Sequence, residues 1–164
     1  MIFWQTFLDS IKLPNKRALF RLNRIGMDIV VIYLAILLFF VSIPSLIEQV
    51  SNPSGLGANM SLFFLMIYFF IFYYLPLLVI VFSFLSLIAY LGTGLTKLMK
   101  RKLRFAILWK MSAFATTVPF AIYTLFALFF PINDLYLWVS LLYTVILLIK
   151  MISIYPKRRT RPKQ

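Results

Sequence analysis

The sequence predicts an all-α integral membrane protein with four transmembrane helices, an N-terminal interfacial amphipathic helix and both termini in the cytoplasm. Three observations predict this class. First, 63% of the 164 residues are hydrophobic, whereas a soluble domain has roughly 45–50%. Second, the apolar residues form long runs, and third, the 17 basic residues lie beside these runs, as they do on a cytoplasmic membrane face. The length predicts a single membrane domain over residues 1–164.

The residue inventory argues against an ordinary enzyme. The chain has no cysteine and no histidine, which removes thiol nucleophiles, imidazole bases and most zinc sites. The acidic residues Asp9, Asp28, Glu48 and Asp134 are spread over the whole chain, although carboxylates that act together must converge on one place. We therefore expect no catalytic residue, no metal site and no cofactor. The net charge of +13 is assigned to the membrane-flanking clusters and not to nucleic-acid binding.

The first segment of the interfacial region, residues 1–12, predicts a short amphipathic helix. Trp4, Phe7, Leu8 and Ile11 have the spacing of one helical face. Such a helix lies in the headgroup region or, as the alternative, packs beneath the bundle. Trp4 and Phe7 are predicted to contact lipid.

The second segment of this region, residues 15–25, predicts another helix after the break at Pro14. Arg17, Arg21 and Arg24 share one of its faces. This face suits the anionic lipids of the cytoplasmic leaflet, at about 1 kcal/mol for each basic residue near the surface. We predict lipid contact at these three arginines, with a protein docking site as the alternative.

The four spans are predicted at residues 26–44, 60–91, 111–130 and 135–155, followed by a basic cytoplasmic tail at 156–164. The run from 60 to 96 contains no charge. One helix there keeps every basic cluster on one side, whereas two helices would place clusters on both sides. Pro76 and Pro119 predict kinks, and Gly92 and Gly94 predict a looser chain before the basic cluster that follows.

Asp28 is the one charge inside the first apolar run. An intramembrane acid is a functional hypothesis by default. Its place in the first turn favours a structural role instead, because a carboxylate there stabilises the helix dipole and can pair with Arg24.

Small residues crowd the beginning of the third span, at Ser112, Ala113, Thr116 and Thr117. Small side chains allow the backbones of two membrane helices to approach closely. We predict that this face packs closely against another helix, and these four residues are the candidate contacts to a partner protein or to a second copy of this chain.

Two blocks of residues resemble a known family. The first block consists of Phe7, Ser10, Ile11, Pro14, Lys16, Ala18, Phe20, Arg21, Ile25, Gly26, Ser42, Ile43 and Pro44. The second block consists of Leu108, Trp109, Lys110, Ala113, Ala115, Thr116 and Pro119. Together they resemble the Gram-positive membrane proteins called maltodextrin utilisation protein A. That family usually has an extracytoplasmic domain between the first two spans, and this chain has only residues 45–59 there.

The resemblance implies a role beside carbohydrate uptake, as a partner of an ABC-type permease, and it implies no functional residues. The leading hypothesis is a non-catalytic accessory subunit in the cell membrane that binds another integral membrane protein, or itself. A small oligomeric channel or transporter is one alternative. A membrane immunity or stress protein that binds lipid or a membrane-active peptide through residues 1–24 is another.

Overall fold

The computed structural model describes residues 2–51, 61–101, 103–130 and 135–156, and these residues are helical almost throughout. The helices are α1 (Ile2–Ile11), α2 (Lys16–Asn23), α3 (Met27–Ser51), α4 (Leu62–Phe69), α5 (Leu75–Leu98), α6 (Phe105–Ala115), α7 (Thr117–Ala127) and α8 (Leu135–Ile154). A π-helical turn, Phe70–Tyr74, joins α4 to α5.

Four stretches of the described chain are long and apolar enough to cross a membrane. The first span is α3, the second is Leu62–Leu98, the third is Phe105–Ala127 and the fourth is α8. The prediction of an all-α chain with four helices that are long and apolar enough to span a membrane is therefore confirmed. The predicted loop residues 52–59 and 131–134, the first residue of the predicted second span, Met60, and the tail after Pro156 lie outside the described residues.

The first span continues beyond its predicted end at Pro44. Pro44 lies inside α3, which ends at Ser51. A proline inside a helix removes one backbone hydrogen bond, and neighbouring helices compensate for this loss in membrane proteins. Here Ser45 and Tyr73 share a hydrogen bond of 2.7 Å between their hydroxyl groups, which holds the last turns of α3 against the second span.

The second span is one helix, as the charge pattern predicted, and it contains 37 residues. Its irregular turn, Phe70–Tyr74, comes just before Pro76. The predicted loosening at Gly92 and Gly94 is wrong, because α5 runs through both glycines to Leu98. The helix ends where Lys100 adopts a left-handed conformation with φ 52° and the Arg101 N–H donates to the Thr96 carbonyl at 2.8 Å.

The first half of the third span, α6, is the central helix of the bundle. The span begins at Phe105, six residues before the predicted start, and it is interrupted at Thr116, three residues before Pro119. The seven residues from Met111 to Thr117 are all buried. A helix that is buried on every side is surrounded by neighbours, and α6 contacts α2, α3, α5 and α8.

Candidate functional site

The predicted packing face of the third span is buried within this chain. Ser112, Ala113 and Thr117 have no exposed surface, and Thr116 is almost fully covered. The prediction that these residues form a helix-packing face agrees with their position, but their assignment to a partner protein has to be corrected. Their neighbours are the other helices of this bundle, which surround α6 because the small side chains permit close approach.

The hydroxyl groups of the spans are used inside the chain. Ser86, Ser112 and Thr144 each donate to the carbonyl four residues earlier in their own helix. Tyr33 in α3 is hydrogen-bonded to Thr117 in α7, with 2.9 Å between the two hydroxyl oxygens. Tyr74 donates to the Ala35 carbonyl at 2.9 Å. The two tyrosine bonds join helices to one another. Together with the bonds within helices, they leave few polar groups in the described spans to line an aqueous path.

Lys110 has a structural role that its position in the sequence did not reveal. Its ammonium group lies within the bundle and donates to two backbone carbonyls, those of Asn23 at 2.7 Å and Ile25 at 2.9 Å. Asn23 is the last residue of α2. The carbonyls at the end of a helix lack partners within that helix and carry partial negative charge. Lys110 therefore ties the end of α2 to the central helix.

The N-terminal helix has its polar side turned toward the protein. Thr6, Asp9 and Ser10 are buried, whereas the apolar side, including Trp4 and Leu8, is exposed. The Thr6 hydroxyl donates to the Ile2 carbonyl and the Ser10 hydroxyl to the Thr6 carbonyl. An outward apolar face is the arrangement expected of a helix surrounded by lipid, because lipid cannot satisfy exposed polar groups.

The position of α1 differs from the predicted one in the headgroup plane. α1 packs against α7, and Phe3 and Trp4 line one cavity together with Phe40 and Leu125. Phe40 is thirteen residues beyond the start of α3, which corresponds to about 20 Å along the helix axis. The helix thus lies beside the spans and not across their ends. It can do so because Thr6, Asp9 and Ser10 form hydrogen bonds within the protein.

The cavity between α1, α3 and α7 has a volume of about 500 Å³. Its walls are almost entirely apolar. The lining residues are Phe3, Trp4, Phe7, Tyr33, Ile36, Leu37, Phe40, Ala121, Thr124 and Leu125. Trp4 and Phe7, which were predicted to contact lipid, are both in this wall.

The arginines of α2 are exposed, as lipid-contact residues must be. Arg17 and Arg24 have exposed side chains. Arg21 is also exposed, but its guanidinium forms an ion pair with the Asp9 carboxylate of α1. This is the only ion pair among the described residues, so the pairing expected between Asp28 and Arg24 does not form. The Asp28 carboxylate instead leans back over Gly26 at the start of α3, where the helix dipole favours negative charge.

The described acidic residues do not converge on one site. Asp9 is paired with Arg21, Asp28 lies in the first turn of α3, and Glu48 lies in its last turn. Within the described ranges no three residues of the metal-binding types come together. The acidic inventory therefore offers no acid–base pair in this part of the chain.

The second span is the least covered of the four. Only 17% of its most apolar window is buried, compared with 56% for the third span. Its two glycines face opposite ways: a side chain at Gly92 would meet Leu148 and Leu108, whereas one at Gly94 would meet nothing within 4 Å. The outward residues at helical spacing, called here the outer face of the second span, are Pro76, Ile80, Ser83, Leu87, Tyr90 and Gly94.

Comparison with protein-family models, with curated protein sequences and with solved structures finds no match for this chain. The resemblance to maltodextrin utilisation protein A stays a prediction. The structural features that bear on function are therefore the central helix, the cavity beside α1 and the outer face of the second span.

Proposed function

We propose that this protein is a non-catalytic accessory subunit of a membrane complex, which binds another integral membrane protein through the outer face of its second span. The observation that carries the proposal is the contrast between the second and third spans. More than half of the most apolar window of the third span is buried by its own bundle (56%), whereas only 17% of the corresponding window of the second span is buried. The resemblance to a carbohydrate-uptake family makes an ABC-type permease the first partner to test.

The outer face of the second span has two positions where a neighbouring backbone can come close. Ser83 and Gly94 are exposed, and the space around Gly94 is open. The Ser83 hydroxyl is already bonded to the Val79 carbonyl, so a partner helix that covers Ser83 buries no unsatisfied donor. Membrane helices associate through close van der Waals contact and not through hydrophobicity, and small outward residues provide such contact.

The proposed orientation places α2, the connection between the second and third spans and the chain after Tyr155 on the cytoplasmic side of the cell membrane. All the basic clusters are then on one side, which the distribution of lysine and arginine favours. The start of α1 lies alongside the spans, so α2 is the N-terminal element that faces the cytoplasm in this proposal.

The proposal is tested by purification of the tagged chain in mild detergent, which we expect to recover a second integral membrane protein at equal stoichiometry. The double variant Ser83→Leu with Gly94→Leu adds bulk only to the outer face. We expect it to insert normally, to keep its thermal stability and to lose the partner. Stability is preserved because nothing in this chain lies against Gly94 and leucine is the better helix former by about 1 kcal/mol.

Ser153→Leu is the matched control. Ser153 is exposed on α8 and donates to the carbonyl four residues earlier, as Ser83 does. We expect this variant to retain the partner. Repeated recovery of the parent chain alone would contradict the accessory role, and full retention of a partner by the double variant would contradict this docking face.

A further inference from the structure

We propose that the cavity between α1, α3 and α7 binds one acyl chain of an anionic phospholipid, whose headgroup lies against Arg17 and Arg24. The inference does not depend on the accessory role. It rests on the chemistry of the cavity wall, on the direction in which the cavity opens and on the charge at one end of it.

The cavity wall offers almost nothing to water. Two lining side chains carry hydroxyl groups, and both groups are already bonded: Tyr33 to Thr117, and Thr124 to the Phe120 carbonyl. Apart from the Trp4 indole, the remaining lining side chains are hydrocarbon. A cavity holds ordered water only where the water finds two or more polar partners. An apolar occupant therefore fits this cavity better than water does.

The cavity opens toward the outside of the bundle. Trp4, Phe40 and Leu125 border it and are all more than half exposed. Phe40 and Leu125 belong to the first and third spans, so the surroundings at the opening are lipid chains. The volume of about 500 Å³ lies within the range of roughly 300–1,000 Å³ that small-molecule pockets have.

The depth of the cavity suits the acyl chain of a phospholipid whose headgroup lies at the level of α2. Tyr33 and Phe40 are six and thirteen residues beyond Met27, which is about 9 and 20 Å along α3. α2 ends just before Met27, at the end of the bundle from which these distances are counted. A phospholipid whose acyl chain enters the cavity from this end therefore has its phosphate near α2.

The charge near α2 determines the class of lipid. Arg17 and Arg24 are exposed, and neither forms an ion pair among the described residues. The ion pair with Asp9 neutralises Arg21. The net positive charge of this helix face therefore comes from the guanidinium groups of Arg17 and Arg24. Each basic residue near a membrane surface favours anionic lipid. The site is therefore selective for a headgroup such as phosphatidylglycerol over phosphatidylcholine.

The test measures quenching of Trp4 fluorescence by phospholipids with brominated acyl chains, added in small molar excess to the protein in detergent. Trp138→Phe removes the other exposed indole, and Trp109 is buried, so Trp4 supplies the quenchable signal. We expect brominated phosphatidylglycerol to quench saturably and to bind about tenfold more tightly than brominated phosphatidylcholine.

Two variants separate the chain site from the headgroup site. Ala121→Phe fills the cavity. We expect it to weaken the binding of both lipids by about tenfold, because the phenylalanine side chain excludes several methylene groups of the acyl chain. Arg17→Gln with Arg24→Gln is expected to remove the preference for phosphatidylglycerol and to leave phosphatidylcholine unchanged. Lys97→Gln with Lys100→Gln removes the same charge elsewhere and is expected to preserve the preference.

Equal binding of the two lipids by the parent protein would overturn the proposal, and so would unchanged binding by folded Ala121→Phe. If Ala121→Phe does not fold, the double arginine variant decides. A preference for phosphatidylglycerol that is unchanged in this variant would contradict the headgroup site. A dimer in which Trp4 is protected from brominated lipid would show that a second copy fills the cavity, which would also overturn the proposal.

Discussion

Lys110→Met is expected to lower the stability of the bundle by about 2 kcal/mol, because hydrogen bonds to a charged donor contribute roughly 1.5–3 kcal/mol. The variant keeps a long side chain but removes both bonds, to the Asn23 and Ile25 carbonyls. These carbonyls lie at the junction of α2 and α3. Loss of the ammonium group leaves them unpaired and releases α2 from the central helix. Thermal unfolding in detergent measures the effect.

Lys150→Met is the control for this prediction, since Lys150 lies at an exposed position of α8. It removes the same charge and introduces the same side chain. We expect its unfolding temperature to match that of the parent protein. If the two methionine variants lose equal stability, the loss comes from the charge alone and the bonds to the α2–α3 junction have no special role.

Ala113→Leu is expected to destabilise the bundle by about 1–3 kcal/mol, the usual cost of inserting methylene groups into a packed core. Ala113 is completely buried in α6, so the added methylene groups have to be accommodated inside the core. The substitution raises the apolarity of the span, so insertion into the membrane is unaffected. The predicted result is therefore normal membrane fractionation together with a lower unfolding temperature in detergent.

Ala106→Leu makes the same change at an exposed position of the same helix, and we expect it to be silent. Phe126→Leu, on the exposed side of α7, is expected to be nearly silent as well. Parent-like stability of Ala113→Leu would mean that the central helix is less tightly enclosed than its burial indicates.

The sequence predicted the spans well because apolar runs and basic flanks report directly on the membrane. The fourth span, predicted at 135–155, is helical from Leu135 to Ile154. The ends of the other spans were harder to predict. Pro44 was taken as the end of the first span, yet α3 passes through it. The bond between Ser45 and Tyr73 holds these last turns against the second span, and it is a tertiary contact that no local pattern reveals.

The candidate site was predicted less well than the spans. The periodicity of α1 identified its apolar side, but it could not show that Thr6, Asp9 and Ser10 find partners within the protein and allow the helix to lie beside α3 and α7. Lys110 and Tyr33 were not among the predicted site residues. A lone lysine and a lone tyrosine inside apolar spans were the available signals, and such polar residues usually face the interior of a bundle.

In the proposed topology the second span crosses the membrane once and leaves every basic cluster on one side. Single cysteines at Ser54, Asn133 and Lys100 test it most directly, because the chain contains no cysteine of its own. An impermeant thiol reagent added to intact cells is predicted to label the cysteines at positions 54 and 133 and to leave position 100 unlabelled until the cells are opened. Labelling of position 100 in intact cells would contradict the account, since residues 62–98 would then not separate two sides of the membrane.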